Sequence, residues 1–164
     1  MKGKVYSLVE ISLLAAFIAV SGSIKIPSGI PGSEFQVSAP IAVAICAVFG
    51  FKRYIVAGIL ASSVLFILGM HNLFNIEIAM VYRVIAGGIV AFFGTRLPII
   101  VIAGPLGTLS ARLVLAYTLQ VPALPLIIAA IPGMIFTAVM SYPMMKIFQN
   151  VYERTKVSRY GKVV

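Results

Sequence analysis

The chain has 164 residues, 61% of them hydrophobic and 10% charged, with no Trp, a net charge of +9 and a mean hydropathy of +1.09. That balance excludes an ordinary soluble domain, and the basic residues fall between apolar runs and at the chain ends rather than in a patch, which argues against nucleic acid as a partner. A polytopic membrane protein remains: one transmembrane domain over 1–164 with room for about six spans of roughly 20 residues.

Met1 to Lys4 is a basic leader with no small-residue cleavage site behind the apolar run that follows. The run therefore reads as a retained first span, 6–24, rather than a signal peptide, with Glu10 toward its cytoplasmic end. It contains Ala15-x-x-x-Ala19 and, overlapping it, Ser12-x-x-x-Ala16. Residues four apart share a helix face, so this stripe of small side chains suits either packing inside the bundle or close approach of a foreign helix. Residues 25–35 hold Pro27, Pro31, Gly29 and Gly32, with Glu34 as the acid. They read equally as a lid over a pocket and as a stiff connector.

The second span, 36–51, is short for a crossing and ends at Lys52-Arg53; Cys46 inside it reads as packing, with no disulfide or metal motif to join. The third, 54–68, carries Gly58, Ala61, Ser62 and Ser63 and leads to a loop at 69–75. The fourth, 76–95, contains Arg83. The fifth, 99–119, contains Gly104-Pro105, Gly107 and Arg112 and is expected to kink. The sixth, 125–148, contains Pro132 and Pro143 and gives way to a basic, polar tail from Gln149.

An N-in, C-in arrangement of these spans puts Lys2, Lys4, Lys52, Arg53, Arg96 and Lys146 on the cytoplasmic side, together with Arg154, Lys156, Arg159 and Lys162. Lys25 alone among the loop cations falls outside, which satisfies the positive-inside rule. No internal repeat is visible, so the repeat architecture of many secondary transporters is unsupported.

With this topology Arg83 and Arg112 both lie in the outer half of the membrane, roughly 10 and 12 Å from the outer ends of their spans. A guanidinium at mid-bilayer costs about 2.5–3.5 kcal/mol even on the lenient insertion scale, so each needs a partner. One reading is an outward-open pocket in which the two arginines bind a carboxylate or phosphate. Its rim would hold Glu34, His71, Asn72 and Asn75 from the first two outer loops, and Glu77, Tyr117 and Gln120 from the helix ends. The other reading has each arginine snorkelling outward or satisfying backbone carbonyls at the kinked fifth helix. A lone His71 completes no metal site. No phosphate-binding loop, no paired acids and no nucleophile with a His partner appear, so the chain reads as neither an enzyme nor a cofactor protein.

Several features together resemble the substrate-binding S components of energy-coupling factor (ECF) vitamin transporters. They are the size with six spans, the Leu13-Leu14-Ala15-Ala16-x-x-Ala19 run, the Pro/Gly-rich first outer loop leading into Phe35-Gln36, and Phe49-Gly50-Phe51-Lys52-Arg53. The resemblance implies an all-α, S-component-like bundle in a prokaryotic cell membrane, surrounded by lipid. It implies that Ala15 and Ala19 dock on a transmembrane coupling protein driven by two cytoplasmic ATPases. It also implies that a vitamin or precursor is held near the outer face by the last three helices and the outer loops. The family's cobalt and nickel members start Met-His, whereas this chain starts Met1-Lys2, which argues against a metal as substrate. An anionic small molecule, a carboxylate of the biotin, pantothenate, nicotinate or lipoate kind, is the expected ligand. The competing expectation is a structural membrane scaffold of the MreD type, which needs no ligand.

Overall fold

The computed structural model describes residues 2–27 and 34–160, with side chains described for 5–24 and 37–155. Among the described residues six helices follow one another: α1 (Lys2–Ser23), α2 (Ser38–Phe49), α3 (Phe51–Ile67), α4 (Leu73–Phe93), α5 (Leu97–Leu119) and α6 (Ala123–Tyr160). Four of them contain stretches long and apolar enough to cross a membrane: Val5–Ser23, Leu73–Phe93, Leu97–Leu119 and Ala123–Thr155. The other two, α2 with 12 residues and α3 with 17, are shorter than a full crossing of about 20.

The sequence of α2, Ser-Ala-Pro-Ile-Ala-Val-Ala-Ile-Cys-Ala-Val-Phe, has no polar face beyond its first turn, and a helix apolar all round belongs in the interior. Every residue from Pro40 to Cys46 is buried, and α2 packs against each of the other five helices. It is the post around which α4, α5 and α6 pack in succession, with α1 against α3 on the other side. The turn from α2 into α3 is a single residue, Gly50, at φ 86° and ψ 158°. A side chain there would be strained, and this is why so tight a junction falls on glycine.

The structure adds three features to the sequence reading. The stretch read as a lid or a stiff connector contributes to a small antiparallel hairpin, β1 (Lys25–Pro27) with β2 (Glu34–Gln36), in which Ile26 pairs with Phe35. The last helix does not stop near Phe148 but runs on to Tyr160, well into the basic tail. The fifth span, expected to kink, is a single helix that continues through Pro105. In α6, Thr137 donates to the carbonyl of Gly133 at 2.8 Å and Ser141 to that of Thr137 at 2.6 Å. These hydroxyls, buried in an apolar helix, are satisfied within it, as hydrocarbon surroundings require.

Candidate functional site

Arg83 lies ten residues into α4, about 15 Å along the axis, deeper than a span starting at 76 implied. Its side chain is 7% exposed and crosses to α3. There its Nη1 donates to Ser62 Oγ at 2.8 Å. One turn earlier on the same face is Gly58, whose missing Cβ leaves the space taken by Cδ and Nε of Arg83. Gly58 and Ser62 thus form a shallow groove in α3 in which the guanidinium lies. The neighbouring Tyr82 donates its hydroxyl to the carbonyl of Ala39 at 2.9 Å, which ties α4 to α2 next to this groove.

Arg83 and Arg112 line one cavity of about 110 Å³, enclosed by α1 to α5 near the end of the bundle where α3 gives way to α4. That is several times the volume of about 10–15 Å³ that a single water needs. Its apolar wall is Ile18, Ala42, Leu65 and Ile78, and its polar groups besides the arginines include His71, Asn75, Ser38 and Thr108. Arg112 Nε is buried with no hydrogen-bond partner among the described residues. A buried polar atom of a cation left without a partner is costly, so this nitrogen is a place where an anion would be held strongly.

The described acids do not supply that anion. Glu10 faces Arg53 at 3.4 Å, joining α1 to α3 at the opposite end of the bundle, and Glu77 accepts from the Thr118 hydroxyl, joining α4 to α5. Glu153 is exposed in the last turns of α6. Glu34 belongs to β2 by its backbone, and its side chain lies outside the described residues.

The remaining sequence candidates divide. His71 and Asn75 line the cavity with the arginines. Asn72 does not; its side chain caps α4 by accepting from the amide of Asn75 at 2.9 Å. Tyr117 is 79% exposed on the outside of the bundle. Gln120 closes α5 in a left-handed conformation, φ 54°, and its side chain donates to the carbonyl of Tyr117 at 2.7 Å. Neither of these two, nor any described residue of α6, lines the cavity, which α1 to α5 enclose. Ala15 is buried in the protein's own core and Ala19 packs against it, which corrects the expectation of an outward Ala15/Ala19 stripe. The outward pair on α1 is Ser12 and Ala16. Sequence reading passed over Gly58 and Ser62 as members of the site, although both stood out as small residues of the third span. What it lacked was the α3–α4 register that sets them against Arg83.

No family model and no solved structure matches the chain. Protein BioX of Lysinibacillus sphaericus is 56% identical to it over 153 residues, which cover 93% of this chain and 92% of that protein. Identity of that level over nearly the whole length of both places the chain in the BioX family.

Proposed function

We propose that this protein is the substrate-capture subunit of an ATP-driven importer of the ECF type, and that it binds a small anionic vitamin or vitamin precursor in the cavity between α1 and α5. The observation that carries this reading is the meeting of two arginines in one cavity whose described surroundings offer them no carboxylate. A buried cation beside a half-buried one costs several kcal/mol in desolvation, and a ligand carboxylate offsets that cost when bound. The name of the relative, BioX, favours biotin or a biotin precursor among such acids. The chain carries no phosphate-binding loop of its own, so ATP hydrolysis belongs to partner subunits reached through a coupling protein. The charge pattern supports an orientation with the N-terminus and C-terminus inside and the cavity mouth outward.

Native mass spectrometry of freshly purified protein tests the reading. A retained molecule bearing a carboxylate, or saturable binding of biotin that Arg83→Ala abolishes, supports it. A retained neutral molecule, or the absence of any binding to biotin, pantothenate, nicotinate and lipoate, overturns it. A scaffold of the MreD type has no use for a cavity lined by two arginines, and nothing in the fold favours that alternative.

A further inference from the structure

We infer that Ser62, with Gly58 one turn before it, is the positioning residue that fixes Arg83 for recognition of an anion, so that α3 sets the acid selectivity of the cavity without contributing a charge. This rests on the proposed reading of the cavity as an anion-binding site and adds to it the group that holds the cation in place.

An arginine side chain has four rotatable bonds and a planar fork, and its usefulness in recognition depends on how much of that freedom is removed before the ligand arrives. The two arginines of the cavity differ in this respect. Arg83 is held at two points. Gly58 receives the end of its aliphatic stem, where any Cβ would collide with Cδ and Nε, and the Ser62 hydroxyl accepts from Nη1 at 2.8 Å. Ser62 is itself 2% exposed on a helix whose register is fixed by Tyr54, Ala57 and Ala61 in the core, so the acceptor is stationary. Arg112 has no comparable support, and its Nε finds no partner among the described residues.

A hydroxyl oxygen does not neutralise a guanidinium. It occupies one N–H, fixes the plane of the fork, and leaves the other donors and the full positive charge for a ligand. A carboxylate at position 62 would instead hold Arg83 and cancel it. A serine therefore fits a cation that must be both fixed and available. Ser63, next along α3, has its hydroxyl on the carbonyl of Ile59 at 3.0 Å and is exposed, so the two adjacent serines have different tasks and only Ser62 acts on the cavity.

The test uses Ser62→Ala in detergent-purified full-length protein, with biotin and biotin methyl ester as probes and Arg83→Ala as reference. Ser62→Ala is expected to weaken biotin about ten-fold, as for loss of a hydrogen bond to a charged group, and to leave the methyl ester within two-fold. A merely structural role would lower both affinities together and so overturns the inference. Modification of Arg83 by phenylglyoxal, followed by peptide mass spectrometry on ligand-free protein, gives a readout that needs no ligand. Arg83 is expected to react several-fold faster in Ser62→Ala, with Arg112 unchanged as the internal control. Equal Arg83 reactivity in the two proteins overturns the inference whatever the ligand. Loss of biotin binding in Arg83→Ala with wild-type behaviour of Ser62→Ala also rejects the positioning role while leaving the anion site standing. Biotin binding untouched by Arg83→Ala rejects the anion site itself.

Discussion

Two arginines in one cavity are not equivalent, and their replacement should move stability in opposite directions. Arg83→Ala opens a void between α3 and α4 and strands the Ser62 hydroxyl, so the ligand-free protein should lose about 1–3 kcal/mol and melt at a lower temperature. Arg112→Ala removes a buried nitrogen that has no partner among the described residues, and the ligand-free protein should be as stable as wild type or more so. Both should weaken an anionic ligand by about 2–5 kcal/mol, as for truncation of one partner of a buried charge pair. Melting curves in detergent, with and without ligand, separate the two effects; equal destabilisation by both substitutions would contradict the asymmetry. The arginines were legible in the sequence because a charge in an apolar run stands out against its background. Ser62 was not, because a serine among small residues is common in membrane helices, and its meaning comes from a neighbour 21 positions away. That Tyr117 and Gln120 do not line the cavity was hidden for a related reason: position along a helix does not say which way a side chain faces around the axis.

At the scale of elements, hydropathy carried the six helices because each is largely one apolar run. It failed where structure and hydropathy part company. The hairpin of β1 and β2 is six residues of backbone pairing flanked by prolines and glycines, too short to show a period of its own. The last turns of α6 extend beyond the apolar stretch, and there helix-forming residues such as Glu153, Arg154 and Lys156 continue the helix without any apolar signal. The central place of α2 was half visible, since a 12-residue helix with no polar face cannot easily cross a bilayer but can fill a core. That placement makes α2 the element least tolerant of change. Ala44, fully buried at its middle, has no room for a larger side chain, and Ala44→Leu should cost about 1–3 kcal/mol through overpacking. Phe92→Leu on α4, where the side chain is 89% exposed, should leave the melting temperature within error. Thermal unfolding of the two variants in the same detergent compares them directly. A tolerant Ala44 would mean that α2 is not the packing centre.

For the whole molecule, the proposed coupling subunit needs a face of the bundle to rest on, and the small residues of α1 divide between an inward and an outward side. Ala15 belongs to the core with Leu14 and Ile18, and the Phe17 ring meets Phe148 of α6 edge-on at 5.6 Å between centroids, so these sides of α1 are committed to the protein itself. Ser12 and Ala16 are exposed, in line with Leu8 and Val20. Small residues four apart on an outward face let a second helix approach closely, while the same spacing on the inward face serves internal packing. If the protein delivers its ligand through a coupling subunit, the outward pair is where that subunit should rest, and the inward pair should matter for folding. Ala16→Leu is therefore expected to abolish uptake of labelled biotin into cells while ligand affinity of the purified protein stays within a few-fold. Ala15→Leu should lower the melting temperature and reduce the amount of protein recovered from the membrane. The pair of measurements separates assembly from folding because one substitution leaves the cavity intact and the other disturbs the helix that forms its wall. Should Ala16→Leu weaken ligand binding as much as it weakens uptake, the exposed face of α1 would have to be part of how the cavity is built, and the partner would have to be sought on another side of the bundle.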